Sequence, residues 1–187
     1  MPGTRERMVN AAVALLERRG LAAMSFSDVV ADSGAARGAI YHHFPGGKLQ
    51  LAGEAAEATG TQVTDVFASL PGTTPRAVVV AFLDTIRPVV AAASRGGGCA
   101  VAAVTVDIGD PDPDRTRALQ AVAHSAFSAW TAALAARLTD AGLSRDRATN
   151  LAALLITLLE GAHVLSRAAG NLEPFDRASR AILDNLT

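Results

Sequence analysis

Residues 25–48 constrain the fold of this chain more than any other segment, because their spacing predicts two short helices joined by a sharp turn. Ser25 and Asp28 have the Ser-x-x-acid spacing of a capping box, so a helix is predicted to begin there. A pair of valines gives this helix an apolar side, and Gly34 can adopt the backbone conformation that a sharp turn requires. A second helix is predicted over residues 36–44. The segment is therefore interpreted as a helix-turn-helix motif.

The second predicted helix has one apolar and one polar side. Ile40 and Phe44 stand four residues apart, so they share a face and can anchor the helix in a core. The remaining surface carries small, basic and hydrogen-bonding residues, namely Arg37, Gly38, Ala39, Tyr41, His42 and His43. Such a surface suits the major groove of DNA, and the motif therefore predicts a DNA-binding protein.

Each of these residue types has a chemical reason to face DNA. The guanidinium of Arg37 can bind a phosphate or pair with guanine through two hydrogen bonds, while Gly38 and Ala39 let the backbone approach the base edges. Tyrosine and histidine can donate hydrogen bonds to phosphate oxygens. Lys48 is predicted near the N-terminus of the next helix, where free amide groups attract an anion. We therefore expect a phosphate clamp at the start of that helix.

Residues 34–48 resemble the recognition region of the TetR family of bacterial repressors, whose pattern runs roughly Ala-Gly-Val-Ser-x-Gly-x-Leu-Tyr-x-His-Phe followed by a lysine. The resemblance covers roughly residues 1–50. It implies a DNA-binding head, a larger helical body that encloses a small-molecule effector, and a homodimer built through the last two helices. The residues that it implies as DNA contacts are Ser25, Arg37, Gly38, Ala39, Tyr41, His42, His43 and Lys48.

Two positions depart from the family pattern. Ala36 stands where the family usually has a serine or threonine that caps the recognition helix and touches a phosphate, so that contact is predicted to be missing. The turn at residues 45–47 is one residue longer than usual, as in a subgroup similar to the LmrA and YxaF repressors. Lys48 is therefore expected to reach a different phosphate.

Length and composition favour one small head and one larger helical body. The chain has 187 residues, half of them apolar and only 4% aromatic, and glycine and proline fall mostly between candidate helices. The predicted fold is all-α, with a helix-turn-helix domain over residues 1–47. The resemblance implies that residues 48–187 form an effector-binding and dimerisation domain. Residues 1–50 hold six basic and four acidic groups, a weak positive excess that has the right sign for meeting DNA.

Apolar periodicity and breaking residues locate the helices. Helix one is predicted over residues 4–19, ending at Gly20. Later helices are predicted over residues 48–70, 75–94 and 99–107, followed by one ending at Gly142, one ending near Gly170 and one after Pro174. The last two carry more apolar surface than a monomer needs to bury, which is typical of a two-fold four-helix interface.

The effector pocket implied by the resemblance has several candidate residues, which have polar tips or large rings on otherwise apolar helices. They are Phe82, Asp107, His124, Phe127, Trp130, Glu160 and His163. The aromatic residues could equally be core packing, and the two histidines could be ordinary partly buried side chains. Glu160 could be a hydrogen-bond partner of His163, a dimer contact or the counter-charge for a cationic ligand. The pattern fits lipophilic compounds, cations and planar aromatics alike.

Several function classes are not supported by the sequence. It lacks nucleophile, phosphate-binding and dinucleotide-binding motifs and metal-ligand spacing, so no enzyme activity, cofactor or metal site is predicted. Cys99 is the single cysteine, which excludes an intramolecular disulfide and favours a small buried thiol over a redox sensor. The N-terminus lacks the apolar stretch of a signal peptide, and polar residues interrupt the most apolar helix. A cytoplasmic protein without membrane contact is expected.

These features predict a homodimeric repressor that binds a palindromic DNA operator and is released by a small-molecule effector, a lipophilic or cationic drug-like compound. One alternative is a helical ligand-binding protein whose head no longer reads a specific operator, which the missing hydroxyl at Ala36 and the low positive charge would allow. Another is an activator, or a nucleoid-type protein that binds DNA without sequence preference.

Overall fold

The computed structural model describes residues 2–106 and 113–186, and these residues form helices and no strand. The predicted all-α fold is therefore confirmed. The helices in chain order are α1 Thr4–Ala23, α2 Phe26–Ser33, α3 Ala39–His43, α4 Gly47–Ala68, α5 Pro75–Ala93, α6 Ala100–Val106, α7 Pro113–Asp140, α8 Arg145–Ala169 and α9 Glu173–Asp184.

The chain forms two compact units. One contains residues 1–61 and 98–126, and the other contains residues 62–97 and 127–187. Helices α4 and α7 each contribute residues to both units. This division by compactness differs from the predicted functional division at residue 47, which concerns what each part binds and stays a prediction.

The first unit contains the predicted helix-turn-helix. The apolar side of α1 is buried, including Met8, Ala12, Leu15 and Leu16. Helix α1 loses helical geometry at Gly20, which has φ 74° and ψ 176°, so the predicted end at this glycine is where the helix breaks. Helix α2 begins after Ser25 and ends at Gly34, whose φ of 64° places it in the left-handed region that favours glycine.

The recognition helix is shorter than predicted. Its helical residues are 39–43 rather than 36–44, and residues 36–38 form a turn in which the Ala39 amide donates to the Ala36 carbonyl at 2.9 Å. Two sequence features explain this. Gly38 has a low helix propensity, and Ala36 has no oxygen that could cap the free amides of a longer helix.

In the second unit, α5, α8 and α9 pack on one another; α5 and α8 each bury a row of apolar side chains, and α9 buries Phe175. Arginine side chains bind backbone carbonyls at the ends of helices, for example Arg137, which donates to the carbonyls of Leu70 and Gly72 at 3.1 and 3.2 Å. Among the described helices, α8 is the one long and apolar enough to cross a membrane by length and composition, a test that core helices of soluble proteins also meet.

Candidate functional site

One side of helix α3 is buried and the opposite side is exposed. Ile40 and Phe44 are buried, as their spacing predicted, and the Phe44 amide donates to the Ile40 carbonyl at 2.9 Å. On the outer side Tyr41 is 66% exposed, although it is the only tyrosine in the chain and a large ring would gain from burial. The edge of its ring contacts Phe26 of α2 at 5.5 Å between centroids, so α2 holds the ring in a fixed position.

The turn that leads into α3 is exposed and lightly constrained. Arg37 and Gly38 are both exposed. Gly38 has φ −73°, and a Cβ atom added to it would meet nothing within 4 Å. Neither backbone strain nor packing within the chain therefore requires a glycine at this position.

The basic side chains of residues 2–50 are mostly engaged within the first compact unit. Five of the six cations among residues 2–50 have partners there, which pair as follows: Arg5 with Glu54, Arg7 with the Ser33 carbonyl, Arg18 with Asp32, Arg19 with Asp28, and Lys48 with the Leu21 carbonyl. Arg37 has no ion pair or hydrogen bond with the described part of the chain. Its guanidinium is thus the uncommitted cation of this segment.

Lys48 occupies a place that its sequence position did not reveal. Its ammonium donates to the carbonyls of Leu21 and Ala22 at 3.0 and 3.3 Å. These carbonyls belong to the last residues of α1, beyond the break at Gly20, where the end of the helix attracts a cation; the Leu21 carbonyl also accepts from the Met24 amide at 3.3 Å. Two of the three ammonium protons are thereby directed at α1, and one remains for an outside acceptor.

Ser25 and the two histidines are all within the same unit. Ser25 is exposed and caps α2, since its hydroxyl oxygen accepts from the Asp28 amide at 3.2 Å and its hydroxyl donates to the Asp28 carboxylate at 2.7 Å. The acid of the predicted capping box is therefore used by the Ser25 hydroxyl and by Arg19. His42 is exposed and His43 is half-buried, with 5.5 Å between their ring centroids.

Three of the seven effector candidates come together in the second unit, in a cluster of rings. Phe127 lies 5.1 Å from Trp130 between centroids, and both Trp130 and Phe82 contact the ring of Phe67, at 6.2 and 5.2 Å. Sequence reasoning missed Phe67, which sits near the end of α4 after a largely polar stretch. Trp130, Phe82 and Phe67 are all buried, as core packing requires.

Phe127 differs from the other rings in the cluster because it is half-buried and also lines an open cleft. This cleft has a volume of about 430 Å³ and carries small side chains and hydroxyl groups: Ser128, Thr131, Ala132, Ala135 and Thr149. Its volume falls within the range of small-molecule sites. Phe127 therefore contacts the buried aromatic cluster and also lines a cleft that a ligand can reach.

Glu160 and His163 lie one turn apart on α8. His163 is 7% exposed, and its Nδ1 atom lies 3.8 Å from a carboxylate oxygen of Glu160. Neither ring nitrogen has a hydrogen-bond partner among the described residues. Burial, and to a smaller extent the positive charge of Arg167, lower the pKa of His163 to about 4, against an opposing effect of the Leu159 carbonyl. The imidazole is therefore neutral at physiological pH.

Two effector candidates remain. His124 is exposed and belongs to the first compact unit, whereas the five candidates above belong to the second. Asp107 lies outside the described residues.

The sequence is similar to two families of regulatory proteins. Residues 8–55 match the bacterial regulatory proteins of the tetR family, and residues 75–181 match the C-terminal domain of LmrA/YxaF-like transcriptional regulators. An HTH-type transcriptional regulator of Mycobacterium tuberculosis is 38% identical over 97% of this chain and 93% of its own length. LmrA of Bacillus subtilis, another HTH-type transcriptional regulator, is 27% identical over 98% of this chain and 96% of its own length.

Solved structures share the fold. A TetR transcriptional regulator from Legionella pneumophila has a TM-score of 0.81 at 24% identity, covering 98% of this chain and 97% of its own. The reduced form of Escherichia coli NemR has a TM-score of 0.76 at 17% identity, covering 97% and 96%.

Proposed function

Because this chain belongs to the TetR family of transcriptional regulators, with an LmrA/YxaF-like C-terminal domain, we propose that it is a ligand-responsive repressor that binds a palindromic operator as a homodimer. The family consists of DNA-binding regulators rather than enzymes. In this proposal α3 of each subunit enters the major groove, and binding of an effector in the body disfavours the conformation that fits the operator.

The observation that carries the DNA-binding proposal is the uncommitted pair of side chains on and before α3. Arg37 is exposed and has no ion pair or hydrogen bond with the residues that the structure describes, and Tyr41 is largely exposed although its ring contacts Phe26. A side chain that is fixed and exposed can contact a partner with little loss of entropy. Arg37 and Tyr41 would contact base edges and phosphates, and Gly38 with Ala39 would let the backbone approach.

The remaining DNA contacts would come from side chains around this centre. His42 and His43 would donate to phosphates on one flank. Ser25 and the free proton of Lys48 would bind the backbone near the N-termini of α2 and α4, where amide groups also point outward. Because Lys48 already binds two α1 carbonyls, its ammonium keeps its charge in a defined position and would also fix the register of the head on DNA.

Selection of binding sites from random DNA, followed by titration of the selected operator, tests this proposal. Tyr41→Ala should abolish operator binding while the protein remains folded and dimeric. Val89→Ala, which truncates an exposed side chain on α5, is the control and should leave affinity unchanged. Full operator affinity in the Tyr41→Ala protein would exclude α3 as the recognition element.

The homodimer would form through α8 and α9. Leu154, Val164 and Leu165 on α8 are 52%, 67% and 58% exposed, which is unusual for large apolar side chains of a core-forming helix. Gly161 lies among them with nothing within 4 Å of its Cβ position, so a second helix could approach closely. In sedimentation equilibrium the wild type should be a dimer and Leu165→Glu a monomer; a dimer of unchanged stability in that variant would place the interface elsewhere.

The effector would bind beside Phe127. The cleft there is lined by apolar and hydroxyl groups and by no charged side chain, a lining that suits a lipophilic compound with few polar groups. Entry of a ligand would displace the Phe127 ring and so disturb its edge contact with Trp130. Among the other candidates, Phe82 and Trp130 would form the inner wall, and Glu160 with His163 would supply polar groups.

Trp130 makes this part of the proposal directly measurable because it is the only tryptophan in the chain. Titration with a panel of lipophilic compounds should change its fluorescence at the concentration that releases operator DNA. Phe127→Ala should shift both midpoints together, and Val89→Ala should shift neither. Release of DNA without any change of Trp130 emission, and with the same midpoint in Phe127→Ala, would place the effector elsewhere.

A second candidate function follows from the short, uncapped α3. Ala36 supplies no side-chain cap, and only five residues are helical, which favours a ligand-binding protein whose head has lost operator reading. Random-sequence selection separates the two functions. Enrichment of one palindromic motif supports the repressor, whereas ligand binding without any enriched motif supports the alternative.

A further inference from the structure

The turn between α3 and α4 is held by a side chain of α4 itself. The Gly46 amide donates to Oε1 of Gln50 at 2.7 Å, so Gln50 provides the cap for the start of α4. The turn contains two consecutive glycines, Gly46 and Gly47, and Gly47 has φ 80°. A glycine-rich turn is loose, and a side-chain cap is one way to hold it in a single conformation.

The hydrogen bond between Gly46 and Gln50 is the first in a connected series of contacts. Nε2 of Gln50 donates to Oε1 of Glu54 at 3.0 Å, and the other Glu54 oxygen lies 2.5 Å from Nη2 of Arg5. The Arg5 guanidinium in turn lies over the Phe44 ring, 5.2 Å from its centroid. These contacts therefore run from Gly46 through two side chains of α4 and one of the first turn of α1 to Phe44, which lies two residues before Gly46.

These contacts matter for α3 because they end at Phe44. Phe44 is the residue that ends α3, and its side chain is buried. The contacts thus fix the end of α3 against both α1 and α4. The Glu54 side chain is only 22% exposed, so its carboxylate depends on Arg5 and Gln50 for the interactions that water would otherwise supply.

We propose that Arg5, Gln50 and Glu54 are positioning residues for DNA recognition. They set the orientation of α3 relative to α4, and Gln50 and Glu54 do so without contacting DNA. This inference rests on the proposed function only in that α3 is the element that reads DNA.

Substitution of Glu54 tests the proposal, because electrostatics and positioning predict opposite changes in DNA affinity. Removal of a negative charge near DNA strengthens binding if electrostatics alone act, because phosphates repel carboxylates. A positioning role has the opposite consequence, since Glu54→Gln keeps the shape but breaks the ion pair with Arg5. Glu57→Gln is a matched control, because Glu57 lies on the same helix, is exposed and undergoes the same change of charge.

Operator affinity of the full-length protein is the first measurement. Glu54→Gln should weaken binding to the selected operator about five- to tenfold, the size expected for losing a partly exposed charged network, while its affinity for unrelated DNA is unchanged or higher. Glu57→Gln should show equal or tighter binding to both DNAs. Gln50→Ala, which removes the cap at Gly46, should reproduce the selective loss, and circular dichroism should show all three proteins folded.

Amide hydrogen exchange of the free protein is the second measurement, and it requires no operator. The Gly46 and Phe44 amides should exchange faster in Glu54→Gln and Gln50→Ala than in the wild type and in Glu57→Gln. Unchanged exchange in both variants overturns the network. Faster exchange with undiminished operator affinity overturns its positioning role. If the wild type selects no operator, the proposed function fails, while the exchange data still decide whether the contacts hold α3.

Discussion

Lowering the pH from 7 to 5 should destabilise this protein through one residue, His163. In the folded chain burial lowers the pKa of this histidine from 6.5 to about 4, whereas in the unfolded chain it keeps the ordinary value. Above pH 6.5 both states are neutral at this position and the histidine contributes no difference. Between pH 6.5 and pH 4 the unfolded state binds a proton that the folded state excludes, so stability falls as the pH falls.

The magnitude follows from the two pKa values. One pKa unit corresponds to about 1.4 kcal/mol, so the full loss below pH 4 is about 3 kcal/mol, and the loss already reached at pH 5 is about 2 kcal/mol. No discount for solvent screening applies, because the residue is 7% exposed. Domains are typically stable by about 5–15 kcal/mol, so this single group would remove a measurable share.

Urea unfolding at pH 7 and pH 5, at one fixed protein concentration, measures the effect. His163→Leu replaces the ring by an apolar side chain of similar volume, and because the ring nitrogens have no hydrogen-bond partner among the described residues, little should be lost at pH 7. The wild type should lose about 2 kcal/mol more than His163→Leu between the two pH values. Exposed His124→Asn should behave like the wild type. Equal pH dependence in wild type and His163→Leu would refute the reasoning.

Two further substitutions test local geometry. Ala36→Ser should tighten operator binding about fivefold in a gel-shift titration, because a hydroxyl there can cap α3 and bind a phosphate; unchanged or weaker affinity would mean that other groups already serve this end. Gly60→Ala should be less stable in thermal unfolding than Gly53→Ala on the same helix, since the new Cβ would lie 2.9 Å from Cβ of Ala126 at the first site and only in ordinary contact at the second. Both gain about 1 kcal/mol of helix propensity, so equal stability would show that the Gly60 contact relaxes without cost.

Helix positions could be predicted from the sequence because their signals are local. The predicted helix ends at Gly20, Gly142 and Gly170 all coincide with glycines of positive φ, a backbone conformation that other residues rarely adopt. The spacing of Ile40 and Phe44 predicted which side of α3 is buried. The extent of α3 was predicted less well, since periodicity alone does not reveal that a helix lacks the capping oxygen its first turn needs.

The partners of individual side chains could not be predicted in the same way. Lys48 binds carbonyls 26 and 27 residues earlier in the chain, and the sequence contains no signal for such a contact. Phe67 joins the rings of Phe82 and Trp130 only after α4, α5 and α7 have packed. Contacts of this kind depend on tertiary packing. Residue types in the sequence can therefore suggest which side chains belong to a site, but they do not determine how those side chains are arranged.

The salt dependence of operator binding should reveal how many cations actually neutralise phosphates. Each phosphate contact contributes about −0.9 to the slope of log affinity against log salt concentration. If Arg37 and Lys48, which have no carboxylate partner among the described residues, are the cations that meet phosphates, a dimer should show a slope of roughly −4, whereas twelve contributing cations would give roughly −11. Arg37→Ala should reduce the slope to roughly −2, and Arg18→Ala, which removes the partner of Asp32, should leave it unchanged. A steep wild-type slope would mean that the engaged cations leave their partners on binding, and the specificity of this head would then rest on a rearrangement rather than on the conformation described for the free protein.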